Sequence, residues 1–497
     1  MTPPTAFFAW IALIPLFIAL KGASPKAGAL LGWVFGFSQF GGILYWIGLL
    51  EAARYLSWLA WAILVLYLSA YFFFWGWIYC FLAKKIDGAF WMAPVVWVAL
   101  EYIRGTRPFG GFCWGELGYS QAPYPAMLTL TELTGIYGLT FTIVFINAWL
   151  AEWIHGSYLS PVNESTAFFK KPYKLIIPLL IPVFMWFWGN EVIKKMPTEK
   201  VGTAYLLQPS VDQEIKWSKE NTTATYNKLE GLIKGAKYPS LIVWPETAAP
   251  SYLLWSSYDL ARVTSIVRNS KCSQLVGCLD AVKGNGSETH SFNAAIQFGP
   301  DGIPNGTYHK RHLVPFGEFV PFQKYLTFLG PVVGDLGNFD FGGRYEKFSV
   351  PGFSYCPMIC YEVIFPGDVY EAFKTDADVL VNISNDAWYG RTASAYQHAM
   401  MAVVRAAEEK KPLLRSANTG ICLATDPFGR IIKFTNLFEE TAITVDVLLC
   451  PSKSTLFSRW GNWFPRTCWI VLAGLLIISL SMAGSSVNVK GSQSNGG

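Results

Sequence analysis

The sequence has little charge. Asp, Glu, Lys and Arg make up 15% of its 497 residues, against about 25% in a typical soluble domain. Hydrophobic residues make up 52%, and the net charge of +5 forms no dense basic cluster, so no nucleic-acid partner is expected. The shortage of charge predicts that part of the chain lies in a lipid bilayer.

Metal-binding patterns are also missing. The sequence has no CxxC pair, and its five histidines do not fall at ligand spacing with its nine cysteines. We therefore expect no metal and no dissociable cofactor. A disulfide between Cys272 and Cys278, or one using Cys356, stays open if the region faces an oxidising compartment. Packing explains most lone cysteines, because free cysteine is among the most buried residues.

The hydrophobicity is concentrated in seven runs, near 6–20, 28–50, 57–82, 90–103, 124–152, 175–189 and 464–484. A membrane span needs about 20 apolar residues, and the shorter runs are counted with their aromatic and small flanking residues. The first run lacks the basic segment of a signal peptide, so it is interpreted as a span. We predict a transmembrane bundle of about six spans over 1–192, a final span over 462–484 and a flexible tail over 485–497.

Lysines predict the orientation of these spans. They follow the first, third and fifth runs, at Lys21, Lys26, Lys84, Lys85, Lys170, Lys171 and Lys174. Short connections rich in lysine face the cytoplasm. The N-terminus and the long block between the sixth and seventh runs are therefore predicted to lie outside.

That block has a different pattern. Polar segments suited to helices cover 219–236, 258–270 and 394–410. They alternate with β-rich runs: "TAYLLQPS", "LIVWPE", "QLVGCLD", "SFNAAIQFG", "SYCPMICYE", "DVLVNISND", "PLLRSANTG", "ICLATD" and "AITVDV". This alternation predicts a layered α/β fold.

Three peptides in the block end a strand or turn with a reactive side chain. They are "LIVWPETAAP" with Glu246, "TYHKRHLVPFGEFVP" with Lys310 and "MICYEVIFP" with Cys360. A carboxylate can take the proton of a thiol, and a lysine ammonium can favour the thiolate and hold an oxyanion. Each peptide alone is a weak signal, whereas the ordered set indicates a cysteine nucleophile with a base and an oxyanion cation.

The motifs "WPETAAP", "YHKRHLVPFGEFVP", "CYE" and "SNDAWYG" resemble those of the bacterial apolipoprotein N-acyltransferase family, which belongs to the nitrilase superfamily. The resemblance covers nearly the whole chain. It implies a multi-pass α-helical membrane bundle joined to a nitrilase-like αββα sandwich over 200–455. It also implies eight spans, and the seven counted here lack the first, either through truncation or because this member does not have it.

The resemblance implies roles residue by residue. Glu246 is the expected general base, Cys360 the nucleophile and Lys310 the oxyanion-stabilising lysine. The Tyr361 backbone N–H would be a second oxyanion donor, and Glu318 and Glu362 would support the site. Expected substrate-binding residues are Trp217, Asn293, Phe316 and Phe319. Trp217 is also explained as an aromatic packed on the sheet, Asn293 as a backbone cap, and "SNDAWYG" as a turn shaped by Asp386 and Gly390.

The implied reaction is acyl transfer in the bacterial inner membrane, with the catalytic domain in the periplasm. A phospholipid would give its acyl chain to Cys360 as a thioester, and the N-terminal amine of a diacylglyceryl-lipoprotein would accept it. A membrane-tethered amidase and a transporter with a binding domain are the alternatives. Against transport, Glu51, Glu101 and Glu132 lie near predicted span ends.

The segment 315–343 is rich in Phe and Gly with few charges. Exposed apolar surface of this kind marks a protein or membrane contact. We expect a mobile arm that dips into the outer leaflet and covers the acyl chain, hinged at Gly330, Gly334 and Gly337. The alternative is a loop folded onto its own core.

Overall fold

The computed structural model describes residues 6–50, 55–86, 88–159, 173–213, 216, 219–284, 286, 288–321, 338–451 and 454–492. Two compact units share the chain. One contains Met1–Gly48, Trp58–Gly189 and Asn462–Gly497, and the other contains Leu49–Ser57 and Asn190–Gly461. The middle of the 315–343 segment, residues 322–337, and Trp217 lie outside the described residues.

The first unit is helical. Its longer helices are α1 (Ile14–Leu20), α2 (Pro25–Ile43), α3 (Tyr55–Ala83), α4 (Met92–Thr106), α7 (Ile136–Ile154), α8 (Tyr173–Lys195) and α14 (Trp463–Ser492), with two short helices, α5 (Pro125–Leu128) and α6 (Thr131–Thr134), between α4 and α7. Among the described residues, four helices are long and apolar enough to cross a membrane: Leu56–Ala83, Ile136–Ser157, Leu175–Lys195 and Trp463–Ser481. The count of seven spans stays a prediction.

Glycines let α2 and α3 approach closely. A Cβ atom on Gly32 would lie 2.1 Å from the Phe72 carbonyl oxygen, and one on Gly76 would lie 2.1 Å from the Gly28 carbonyl oxygen. No side chain fits at either position. Small residues serve the same purpose where helices pack in membranes, because packing rather than water exclusion drives their association.

Buried charge in this unit holds a loop in place. The Arg104 guanidinium donates from Nη1 to the carbonyl oxygens of Phe112 (2.7 Å) and Trp114 (2.8 Å). Its Nη2 lies 3.7 Å from Glu101 Oε1. Glu101 in turn accepts from the Leu117 N–H at 3.2 Å. These contacts satisfy backbone groups of the loop, and they give the pair a structural role.

The second unit contains two stacked sheets. The first has the strand order β13-β1-β2-β4-β5-β6, with β3 also paired to β4, and the second has the order β12-β11-β10-β9-β8-β7. The strands are β1 (Glu199–Gln208), β2 (Leu241–Val243), β3 (Ala249–Tyr252), β4 (Gln274–Lys283), β5 (Thr289–Phe298), β6 (Pro304–His309), β7 (Phe348–Val350), β8 (Phe353–Ile359), β9 (Val379–Ser384), β10 (Leu413–Ala417), β11 (Leu423–Thr425), β12 (Ile431–Phe434) and β13 (Thr441–Leu449).

Helices cover the outer faces: α9 (Lys219–Ile233) and α10 (Ser257–Ser270) on the first sheet, and α11 (Pro366–Phe373) and α12 (Ala393–Glu409) beside the second, with α13 (Leu456–Trp460) after β13. Side chains of β1 alternate between two cores. Ala204 and Leu206 pack between the sheets, whereas Tyr205 and Leu207 pack against the helices. The αββα expectation is confirmed. The expected strands and helices are present, while β3, β6, β7, β12, α11 and α13 were not predicted.

The disulfide alternatives are wrong, since all nine cysteines are free. Cys278 lies in β4, which begins at Gln274. An extended strand rises about 3.3 Å per residue, so this part alone spans about 13 Å. A disulfide needs Cα atoms within about 7 Å, and Cys272 lies further still along the chain.

Candidate active site

Cys360 begins a sharp turn at the end of β8. It follows Ile359, has a φ of +53° and starts the short 3-10 helix Cys360–Ile364. Such a backbone conformation is costly for a residue with a side chain and persists only where its surroundings hold it. The turn leaves Cys360 partly exposed, while the other cysteines are buried.

The Cys360 thiol is protonated at neutral pH in the resting site. Burial raises its pKa well above the ordinary range, and the negative charge of Glu246 raises it further, against the opposing effect of the Lys310 ammonium. A protonated thiol is a weak nucleophile. The site therefore needs a base that removes the proton as the thiol attacks.

Glu246, Lys310, Glu318 and Asn293 form what we call the carboxylate–lysine cluster. Lys310 Nζ lies 2.8 Å from each oxygen of Glu318 and 3.6 Å from Glu246 Oε1. Burial opposes the charged form of Lys310, but the two carboxylates outweigh it and raise the pKa of the lysine. Lys310 is thus a permanent cation between two carboxylates.

Asn293 joins the two carboxylates from β5. Its Nδ2 donates to Glu246 Oε1 at 2.8 Å and to Glu318 Oε1 at 2.9 Å. One amide group therefore sets the separation of both acids around the lysine. This placement differs from the alternative of a backbone cap. The predicted contact of Asn293 with substrate stays a prediction.

Glu318 lies in a tight loop after β6. Its Oε2 accepts from the Val314 N–H at 2.9 Å, and the loop is closed by the Phe316 N–H donating to the Phe319 carbonyl oxygen at 2.8 Å. The Phe316 ring is 46% exposed, and Phe319 packs edge-on against Phe341 with ring centroids 5.1 Å apart. Both rings thus flank the residue that holds Lys310.

Glu362 ties the nucleophile turn to the lysine segment. Its Oε2 accepts from the Ile359 N–H at 2.6 Å. Its Oε1 accepts from the Tyr308 hydroxyl (2.8 Å) and from the N–H groups of Arg311 (2.6 Å) and His312 (3.1 Å). Lys310 lies between Tyr308 and Arg311 in sequence, so this one buried carboxylate fixes Cys360 relative to Lys310.

Two further side chains shape the site. The Tyr361 ring packs edge-on against Phe365 at 4.9 Å and His312 at 5.8 Å, which anchors the residue after the nucleophile. Lys216, which the sequence analysis missed, donates to the Glu246 carbonyl oxygen at 3.2 Å and to Thr247 Oγ1 at 2.6 Å. Burial lowers the pKa of Lys216 to about 8.

A second group, which we call the arginine cluster, contains Asn382, Ser384, Asp386, His398 and Arg415. Arg415 Nη2 lies 2.8 Å from Asp386 Oδ2 and 3.2 Å from His398 Nδ1, and its Nη1 donates to Asn382 Oδ1. The Arg415 guanidinium holds the pKa of Asp386 far below its usual range, although burial acts the other way. Burial and Arg415 lower the pKa of His398.

This cluster was not predicted from the sequence. Asp386 was interpreted as a turn residue, and it does begin the 3-10 turn Asp386–Tyr389, which ends at Gly390 with a φ of +56°. A signal was present nevertheless. Arg415 lies inside the apolar run of β10, where every residue is buried, and a buried arginine requires a partner.

Cys360, Asp386 and His398 also bring one potential metal-ligating atom each within 4.8 Å of one another. Sequence spacing could not show this grouping. The donor set does not suit a metal, because the Arg415 guanidinium already contacts both Asp386 and His398 Nδ1. A cation there would face a buried positive charge, so we assign the group no metal.

Family models match both parts of the chain. The model of the apolipoprotein N-acyltransferase N-terminal domain matches residues 2–149, and the carbon-nitrogen hydrolase model matches residues 207–450. An amidase of the nitrilase superfamily from Nesterenkonia aligns over 51% of this chain and 93% of its own, at 15% identity and a TM-score of 0.38. The carbon-nitrogen hydrolase match lies within the second unit.

Relatives that match nearly the whole chain point to one enzyme family. The apolipoprotein N-acyltransferase of Geobacter metallireducens is 32% identical over 489 residues, covering 96% of this chain and 91% of its own. That of Brucella melitensis is 32% identical over 485 residues, covering 94% and 88%. The chain belongs to the apolipoprotein N-acyltransferase family. With its apolar helices, it is a bacterial membrane protein.

Proposed function

We propose that the protein transfers a fatty acyl chain from a phospholipid to the N-terminal amine of a diacylglyceryl-cysteine in apolipoproteins, the last step of lipoprotein maturation. The observation that carries the proposal is the grouping of Glu246 and Lys310 around the Cys360 turn, in a chain related over its whole length to apolipoprotein N-acyltransferases. The lysine-bearing connections favour the inner membrane with the site in the periplasm.

In the first half-reaction, Glu246 takes the proton of the Cys360 thiol as the sulfur attacks the ester carbonyl of the phospholipid. Lys310 and the Tyr361 N–H stabilise the oxyanion that forms. The intermediate collapses by breaking the ester C–O bond, and Glu246 gives its proton to the departing lysophospholipid oxygen. The acyl group remains on Cys360 as a thioester.

In the second half-reaction, the amine of the lipoprotein attacks this thioester. Glu246 accepts a proton from the attacking nitrogen, the C–S bond breaks, and the proton returns to the sulfur as the thiol is restored. The product is an amide. Because the first product leaves before the second substrate reacts, the proposal requires ping-pong kinetics.

Mass spectrometry of the purified protein after incubation with phospholipid vesicles tests the proposal. We expect one acyl mass on the peptide that contains Cys360, removed by a diacylglyceryl-cysteine peptide with formation of the N-acyl product. Cys360→Ala should abolish both steps. Cys356→Ala is the matched control, since Cys356 is buried in β8, and it should retain them. An acyl adduct that disappears at the same rate without the amine would indicate a hydrolase instead.

A further inference from the structure

Two buried side chains hold the carbonyl oxygen of Cys360. His398 Nε2 lies 3.2 Å from this oxygen, and Asn382 Nδ2 lies 3.3 Å from it. A carbonyl oxygen only accepts hydrogen bonds, so this contact requires the tautomer of His398 with its hydrogen on Nε2. Nδ1 of the same ring lies 3.0 Å from Asp386 Oδ1. His398 is 2% exposed and Asn382 is fully buried, so water does not compete for the carbonyl from this side.

Holding this carbonyl also orients the next N–H group. The Cys360 carbonyl and the Tyr361 N–H belong to one peptide group, which is planar and trans, so its C=O and N–H bonds point in opposite directions. The positive φ of Cys360 needs support from its surroundings. Two hydrogen bonds that fix the carbonyl therefore fix where the Tyr361 N–H points.

Arg415 orients both of these side chains. Its Nη1 donates to Asn382 Oδ1, which leaves Asn382 Nδ2 directed to the carbonyl oxygens of Met358 (3.1 Å) and Cys360. Its Nη2 contacts Asp386 Oδ2 at 2.8 Å and His398 Nδ1 at 3.2 Å, which turns Nε2 to the same carbonyl. The guanidinium is planar and fully buried, so its two donors set both angles together.

We propose that His398 and Asn382, oriented by Arg415 and Asp386, are positioning residues that aim the Tyr361 N–H at the oxyanion of the tetrahedral intermediate. The inference rests on the proposed function, because it assumes acyl transfer at Cys360. His398 does not exchange a proton with substrate in this role. It acts only through the Cys360–Tyr361 peptide group.

Two reactions of the same thiol separate this role from a merely structural one. Acylation by an ester passes through an oxyanion, whereas alkylation by iodoacetamide displaces iodide and forms none. A defect in oxyanion positioning should slow acylation alone. A distorted or unfolded site should change both reactions. Both rates are measured on the full-length protein in detergent, with phospholipid in mixed micelles and with iodoacetamide, by mass spectrometry of the Cys360 peptide.

His398→Leu and His398→Gln form the matched pair. Leucine has no donor, and glutamine places an N–H donor near the position of Nε2. We expect His398→Leu to slow acylation by about 10²-fold, the scale for a lost oxyanion donor, with alkylation within about threefold of the unaltered protein. His398→Gln should restore acylation to within about tenfold.

The inference is overturned if His398→Leu leaves acylation unchanged, if acylation and alkylation fall together, or if glutamine is no better than leucine. Failure of the proposed function has a different signature, in which the unaltered protein forms no thioester on Cys360 although iodoacetamide labels it.

Discussion

Two clusters of buried charged residues surround Cys360, and they differ in the ratio of acidic to basic groups. The carboxylate–lysine cluster sets Glu246 and Glu318 against one cation, Lys310. The arginine cluster pairs Asp386 with Arg415, and His398 has a lowered pKa beside them. Among the named members of the carboxylate–lysine cluster the carboxylates outnumber the cation by one, and Lys216 contacts the Glu246 backbone carbonyl instead of joining it. The arginine cluster has one carboxylate and one guanidinium. An excess carboxylate can accept a proton and leave a matched ion pair behind, so the unbalanced cluster is suited to proton transfer.

The two clusters also differ in what their hydrogen-bond donors contact. In the carboxylate–lysine cluster, the Asn293 amide donates hydrogen bonds to the two acids, and the Lys310 ammonium lies between them. In the arginine cluster, Asn382 and His398 direct their donors to a backbone carbonyl. Glu246, which Asn293 and Lys310 contact through their side chains, can take up a proton during a reaction, while the arginine cluster keeps the Cys360 carbonyl in place.

The largest effect should come from Lys310→Met. Methionine is close to lysine in length, but it leaves Glu246 and Glu318 buried without their cation and removes a donor from the oxyanion. We expect thioester formation to fall by at least about 10²–10³-fold. The measurement is the single-turnover rate of Cys360 acylation from phospholipid micelles.

Glu246→Gln is the companion variant. It should also remove acylation, since no other group is assigned as the base, while retaining the hydrogen-bonding shape of the site. Near-normal acylation in either variant, with the protein correctly inserted, would contradict the assignment of the carboxylate–lysine cluster as the chemical half of the site.

Removing the acid of the arginine cluster should lower the stability of the fold. Asp386→Asn leaves the fully buried Arg415 without its counter-charge, and breaking a buried pair from one side costs about 3–5 kcal/mol. The midpoint of thermal unfolding in detergent should fall accordingly. Unfolding is monitored by the reaction of the buried cysteines with a thiol dye, in a Cys360→Ala background. Glu371→Gln is the control, because Glu371 pairs with Lys374 at an exposed site, and it should change stability by at most about 1 kcal/mol. Equal, small shifts in both variants would show that the arginine cluster does not brace the fold.

The two clusters also differ in how far the sequence predicts them. Glu246 and Cys360 each follow a β-rich run, so their placement at strand ends follows from local pattern. The role of Lys310 followed from its chemistry in the ordered set of three peptides, and the roles of Glu318 and Glu362 came from motif resemblance. The bonds of Glu362 to the Arg311 and His312 N–H groups were not predicted. Those bonds join segments about 50 residues apart, and no local pattern encodes them.

The arginine cluster was missed for a related reason. Asp386 has enough local explanation as a turn residue, and His398 lies among apolar residues of α12, where packing explains a histidine equally well. Asp386 and His398 contact Arg415 only because β9 pairs in parallel with β10, which places Arg415 beside Asn382. Strand order in a sheet is a property of the whole fold. The Cys272–Cys278 disulfide, which the sequence left open, is wrong for a similar reason, because nearness in sequence says little about distance once β4 is extended.

The last prediction compares the clusters through the acidity of one thiol. Because the pKa of Cys360 is raised, the thiolate is a minor species at neutral pH. The alkylation rate by iodoacetamide should therefore increase about tenfold per pH unit through pH 7–9, without the plateau that an ordinary cysteine shows near its pKa of about 8.5.

The Glu246 charge raises the pKa of the Cys360 thiol, so Glu246→Gln should shift the profile to lower pH and speed alkylation at a given pH. The Lys310 charge lowers it, so Lys310→Met should shift the profile the other way. Asp386 acts in the same direction as Glu246 but more weakly, and Asp386→Asn should give the smallest shift. Rates read at Cys360 by peptide mass spectrometry give all four profiles. Slower alkylation in Glu246→Gln across the whole range would contradict this account, since it would mean that Glu246 ionises the resting thiol instead of opposing its charge.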